Sequence, residues 1–386
     1  MKVTANSRGF SLVELMIALT LGLVVTAAVI STFVSVHSAS KDTAAIGELA
    51  DNGRIAIDVL QQTLRSAGYM ACNSTMRQVV VKGGLGVVQS PLTKDVTEPL
   101  AGYEALYGGS DTGPGSSITL VENPPGTSTQ SDWTTTSGLG SQLDNALINK
   151  SALPVSGSDA IGVHTTYSQV VPVYTTTASG MNYVDVNSTA GLVNGQVGII
   201  SNCASSVVAE ISDVNGNTVK FNQDLGQTFD SGSEVAVFNT IVFYIGKGTD
   251  GDGALYFLQA AGQPNISGTA ASAPQEIVPD VENMQVLYGV DTQGAMSATE
   301  YVTADQVPNA VANNPNCQSA GGTTPYDFNC VVSVKVALLV ASRPYAIPLP
   351  AQARTFDLLG TQVTAPRDTR MRQVFETTVS LRNTTN

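Results

Sequence analysis

The chain has 386 residues, only 13% of them charged, with 36 glycines, 17 prolines and 42% hydrophobic residues. That mix excludes wholesale disorder and fits an extracytoplasmic, turn-rich β protein better than a cytosolic helical enzyme. Eighteen Lys and Arg stand against 31 Asp and Glu, a net charge of −13, so the surface as a whole repels phosphate backbones, which argues against sequence-independent nucleic-acid binding, and no direct nucleic-acid partner is expected.

Residues 1–9 are polar, carry Lys2 and Arg8, and end in Gly9. An apolar run then extends from Phe10 to Val36, and no Asp, Glu, Lys or Arg occurs between Leu15 and Ser40. Such a run is long enough to cross a bilayer as a helix, and the basic residues ahead of it keep the N-terminus cytoplasmic. Three readings compete: a secretory signal cleaved near Val25-Thr26-Ala27, a plain signal anchor, and one that accounts for Glu14. An acid one turn into an apolar helix costs about 2.5–3.5 kcal/mol near the centre of the membrane and less towards its edge, so it asks for a partner.

The segment RGFSLVELMIALTLGLVV resembles the class III signal of type IV pilins and type II secretion pseudopilins. The resemblance implies that a prepilin peptidase cuts between Gly9 and Phe10 and that the new Phe10 amine is methylated. It also implies that Glu14 pairs with a terminal amine, its own or a neighbour's, when the helix leaves lipid for a filament core. Two charges that are each costly alone then compensate each other.

Helical periodicity continues through residues 41–67, where Ile46, Leu49, Gly53, Ile57, Leu60, Leu64 and Ala67 form one stripe. Gly68 supplies the stop. The expected rod is about 58 residues, or ~87 Å long, apolar nearly all round over 10–36 and amphipathic over 37–70. Gly53 reads as an exposed or packing glycine.

Beyond Cys72 the text turns to strands. Gln78–81 and Ile118–Val121 are short candidates within loop-like sequence, and Trp133 lies in the loop of 108–142. Clearer strands are expected at Ala160–Thr165, Val170–Tyr174, 183–186, Val197–Ser201, Val207–Val214 and Val219–Phe221, the last two joined by the Asn215-Gly216 turn. Val235–Ile245, Ala254–Leu258 and one extended stretch, Ile277–Val290, follow. The final pair alternates most cleanly. Val332, Val334, Val336, Leu338 and Val340 share one face, and Phe375, Thr377, Val379 and Leu381 another, with Glu376 and Ser380 outward.

The blocks LRSAGYMAC (64–72), GQVGIISNCASSVVAEI (195–211), IVPDVENMQVLYGVDTQG (277–294), VVSVKVALLVAS (331–342) and RMRQVFETTVSLRN (370–383) look like the PilW family of minor pilins. Residues 83–153 carry little of this likeness. The family implies a subunit that primes pilus assembly and sits at or near the filament tip, supporting twitching motility and adhesion. Implied partners are other minor pilins, the major pilin, the prepilin peptidase, the inner-membrane assembly platform and the membrane itself. The type II secretion pseudopilin GspJ is similar but shorter.

Four cysteines, Cys72, Cys203, Cys317 and Cys330, contain no CxxC pair, and in an exported chain they read as two disulfides. Of three possible pairings we favour Cys317–Cys330 with Cys72–Cys203. The first closes a polar 317–330 loop with little apolar content to order itself, a closure that contributes about 3 kcal/mol. Six arginines between Arg343 and Arg382 read as solvated or salt-bridged strand positions.

No hydrolase, P-loop, dinucleotide or zinc-protease motif occurs. His37, at the outer end of the spanning helix, and His164, in a strand, read as structural histidines. The acidic turns at Asp250-Gly-Asp252 and Asp291 with Glu300 lack calcium-loop spacing and read as hairpin turns. The expectation is therefore a non-enzymatic α+β protein without cofactor or metal, its long N-terminal helix packed on a β-rich head. Residues 71–386 would form that head, with an insertion of about 83–240. It would sit in the inner membrane with its head periplasmic and reach the cell surface after assembly. Two alternatives stay open, a secretion pseudopilin and a tethered or secreted carbohydrate-binding β protein, the latter starting near Ala28.

Overall fold

The computed structural model describes residues 11–73, 79–82, 98–108, 110–121, 133–134, 152–166, 169–249, 251–260, 273–312, 314, 317, 327–344 and 352–383. One helix, Leu12–Arg65, dominates the N-terminal part and at 1.5 Å per residue measures ~80 Å. No residue of the helix before Ala45 is buried. Above that point Ala45, Leu49, Gly53, Ala56, Leu60 and Leu64 are. The buried stripe thus runs one position off the expected one at two points: Ile46 is 55% exposed and Ile57 half-buried, while Ala45 and Ala56 face inward. Small residues take these places because a sheet lies close against the helix. The stop is at Gly68, whose φ of +72° is left-handed. A Cβ there would also come within 3.1 Å of the Asn383 carbonyl oxygen.

The upper helix packs on a four-stranded antiparallel sheet ordered Glu300–Val302, Val281–Val290, Val331–Ala341, Arg372–Ser380. Val334, Val336, Leu338, Val340, Met284, Val286 and Val379 share one core with Leu49, Ala56, Leu60 and Leu64. The opposite face of Val331–Ala341 is buried too: Ala337 and Leu339 pack with Ile118, Leu358 and Val363. Those three come from a small sheet of Ser117–Thr119, Thr355–Leu358 and Thr361–Thr364. Burial on both faces explains why this strand is an unbroken apolar run.

A larger sheet carries Leu100–Tyr107, Ala160–Thr166, Glu234–Lys247, Gly253–Ala260 and Gln275–Pro279 as neighbours. Glu234–Lys247 is shared between two units. Residues 238–247 pair with the head strands Ala160–Thr166 and Gly253–Ala260, whereas 234–237 pair with Val197–Ser201. Around that second half lie Tyr183–Asp185, Ser206–Asn215 and Thr218–Phe221, enclosing a separate core of Val173, Val184, Ile200, Ile211, Phe221 and Phe229. Within the expected insertion of about 83–240, then, Leu100, Ile161 and Val163 belong to the core that holds the long helix, and the separate core spans only 171–237.

Two disulfides join Cys72 to Cys203 and Cys317 to Cys330, with Cα–Cα distances of 4.7 and 5.5 Å. The first ties the chain just past the helix to the turn between Val197–Ser201 and Ser206–Asn215. Immediately after it, Val79–Val81 pairs in parallel with 206–208. The expected single stretch Ile277–Val290 is two strands in two sheets, divided at Asp280, whose φ is +61°. Gln78 and much of the loop-like 108–142 lie outside the described residues.

Candidate functional site

The residues that carry the sequence argument lie on the bare half of the helix. Glu14 stands in its first turn, where the unpaired N–H groups of a helix start favour an anion. Around and above it Leu12, Leu15, Leu19, Leu23 and Phe33 are each more than half exposed. The hydroxyls of this half are suited to oil. Thr20, Thr32 and Ser35 donate at 2.9–3.0 Å to carbonyls three or four residues back, and Thr26 does the same to Gly22. Each polar side chain so engaged needs no water. The helix is long and apolar enough to cross a membrane. Gly9 and Phe10 lie outside the described residues.

The upper half is fastened to the head by few polar contacts. Gln61 donates to Thr377, the Asn383 amide donates to the Ala67 carbonyl at 3.1 Å, and Arg343 pairs with Glu48 at 2.8 Å. Gly53 is a packing glycine: a Cβ on it would fall 2.3–2.6 Å from ring carbons of Phe375.

Both histidines have structural surroundings. His37 stacks with Phe33 one turn below it, ring centroids 6.2 Å apart. Buried His164 places Nδ1 2.6 Å from the Glu98 carbonyl and its ring beside Phe238. The acidic turns have protein partners. Asp252 pairs with Arg370 at 3.1 Å, while Asp250 is outside the described residues. The Asp291 carboxylate accepts N–H groups from Gln293, Gly294, Ala295 and Met296 at 2.7–3.1 Å. Desolvation pushes the Asp291 carboxyl up, but these four donors outweigh it and hold it below the usual range.

Two groups of charges are buried, the first made of arginines that the sequence allowed to be salt-bridged without naming their partners. In the first, Arg370 and Arg372 are buried among Asp252, Asp280, Glu282 and Asp368. Arg372 grips both Glu282 oxygens at 2.6 and 2.9 Å. Burial works against its charge, yet its bonds to Asp368 and Glu282 win and push the guanidinium up. Arg354, Arg367 and Arg382 are exposed. The segment RDTRMR shows only the charge types: residues 367–369 bend before the strand begins at Arg372, and that bend turns Asp368 back onto the Arg370 N–H and the Arg372 guanidinium. The second group is Glu104 with Asp159, 1% and 2% exposed; no motif marks it.

A long helix, bare and apolar below and packed on a β head above, defines a type IV pilin-like protein, and the comparisons agree. Residues 4–30 match the prokaryotic N-terminal methylation motif, and residues 242–383 match PilW, the type IV pilus-assembly protein W. The C-terminal part of the chain is thus similar to the PilW minor pilins, and its N-terminus carries a pilin-type methylation motif. The second match covers the helix-facing sheet and leaves out the 171–237 unit. PilW is a family of assembly proteins, which implies contact with other pilus components and processing by the prepilin peptidase. No curated protein matches the chain.

Proposed function

We propose that this subunit is cut between Gly9 and Phe10, methylated on Phe10, and inserted with other minor pilins as a primer at or near the tip of a type IV pilus. There it supports twitching motility and adhesion. The observation that carries this reading is the unburied apolar half-helix with Glu14 as its only acid before Asp42. In the membrane that surface faces lipid, and in a filament it faces the helices of neighbouring subunits. Glu14 then pairs with a terminal amine, so an acid that is costly in oil becomes the register mark of assembly. The head stands in the periplasm before assembly and at the cell surface afterwards. The inner-membrane platform and the major pilin are its further partners.

The test is direct. N-terminal sequencing of the mature protein is expected to start at Phe10, and Gly9→Val to leave the leader in place. Glu14→Ala is expected to be processed normally yet enter sheared pili at least about tenfold less, the equivalent of about 1.4 kcal/mol. Wild-type incorporation of Glu14→Ala, or a mature protein starting near Ala28, overturns the reading.

A further inference from the structure

The Glu104–Asp159 pair sits where the head's two main sheets meet. Asp159 ends a short crossing segment whose Gly157 carbonyl accepts from Asn283 at 2.9 Å and Gln285 at 3.0 Å. Its own carboxylate accepts the Ala105 N–H at 2.9 Å on one oxygen and the Val286 N–H at 2.8 Å on the other. Ala105 belongs to one sheet and Val286 to the other. Both Asp159 oxygens are therefore held by donors that favour the anion.

Glu104 is served differently. Its Oε2 has one long contact, 3.4 Å from the Ala304 N–H. Its Oε1 lies 3.4 Å from the Thr112 hydroxyl, which is also 3.4 Å from Asp159 Oδ1 and 3.1 Å from the Ala105 carbonyl. Thus three acceptor oxygens surround one hydroxyl that owns one hydrogen. If both carboxyls were ionised, two of those three would face a buried oxygen with nothing to donate. A proton on Glu104 resolves the arrangement. Glu104 then donates to Thr112 Oγ, and Thr112 passes its own hydrogen to Ala105 or Asp159.

We propose that Glu104 is a neutral carboxylic acid that clasps the joint between the two sheets and the 303–311 segment, and that the clasp loosens as it loses its proton. Other groups facing the site deepen the bias. Asp305 and Asp111 bear on Glu104 from the 303–311 and 110–111 segments; the Tyr288 phenol, which faces the pair from Val281–Val290 with Tyr103 nearby, is itself pushed up by burial and by the two carboxyls and stays neutral. No cation is among these groups. Burial first, then Asp159, pushes Glu104 up to about 10, and burial pushes Asp159 up to about 7. Both folded values lie above the unfolded ones. The stabilisation is complete below the ordinary carboxylate range and is lost as pH rises through about 7 and then about 10. The head is therefore strengthened by acid.

The experiment uses the full chain in detergent micelles. Unfolding by denaturant is followed from about pH 5 to about pH 9 for the wild type and Glu104→Gln, whose amide can still donate to Thr112. The wild type is expected to lose up to about tenfold in folding constant per pH unit relative to the variant. Amide-exchange protection at 303–311 should fall in parallel. Infrared spectra of the wild type at neutral pH should show the carbonyl stretch of an un-ionised acid, so the idea remains testable if Glu104→Gln misfolds. Parallel pH profiles, or no un-ionised acid band at neutral pH, overturn the proposal. So does calcium that stabilises the wild type but not Glu104→Gln at high pH, which would make the pair a cation site.

Discussion

Side-chain accommodation on this molecule is decided at a few crowded points. Gly53 is the sharpest, because helix propensity alone argues for replacing it: Ala is better than Gly in a helix interior by about 1 kcal/mol. The Phe375 ring lies where the new methyl would go, and overpacking costs about 1–3 kcal/mol. Gly53→Ala is expected to destabilise the head by about 1–2 kcal/mol in the wild type and to stabilise it in a Phe375→Ala background. Chemical denaturation of the four proteins of that cycle measures the sign change. Arg370 is the second point. It donates to the Ser342 carbonyl at 2.7 Å and pairs with Asp280 and Asp252, while Asp280 holds the left-handed hinge between two sheets. Arg370→Ala leaves buried carboxylates without their cation, so a loss of about 3–5 kcal/mol is expected. A loss under 1 kcal/mol in the same assay would show those carboxylates to be solvated.

At the scale of elements, the sequence announced what was periodic and hid what was not. The helix, the strands Val197–Ser201 and Val331–Ala341 and the outward Glu376 and Ser380 follow from spacing alone. LAGYEALY, the strand Leu100–Tyr107, was not foreseen, because Ala, Gly and Glu carry no β pattern. It is a strand because Ala160–Thr166 pairs with it and because Gly102 lets the Tyr288 ring approach within 2.8 Å of where a Cβ would be. Glu104 was invisible for the same reason: lying in no motif, it gains its meaning only when Asp159 is folded against it. The bare half-helix, by contrast, was legible in full, since a membrane reads composition and not tertiary context. The 171–237 unit adds an element-scale prediction. It is anchored by the continuous strand Glu234–Lys247, the Val79–Val81 pairing and Cys72–Cys203. Replacing both Cys72 and Cys203 by Ser is expected to cost about 2–5 kcal/mol and to expose 79–82 and 201–206 to protease first, with the helix-facing sheet still resistant. Uniform loss of resistance would mean that the unit and the head unfold as one.

For the whole molecule, the division of labour along the helix predicts independence of its two halves. The core that binds helix to head begins at Ala45 and Leu49 and ends at Ala67. Nothing below it contributes buried area, and the Glu48–Arg343 pair lies above the boundary. Hydrophobic stabilisation scales with area removed from water, about 25 cal/mol per Å², so the lower half adds almost none to the isolated subunit. It is apolar for the sake of a lipid or protein environment that the subunit alone does not supply. A chain starting at Ser40 should therefore be soluble without detergent and form both disulfides. Its unfolding free energy should match that of the full chain within about 1 kcal/mol, the small loss coming from a frayed first turn. Detergent-free folding assays measure this. A truncated head that aggregates, or that unfolds several kcal/mol earlier, would show that the rod braces the head as well as anchoring it.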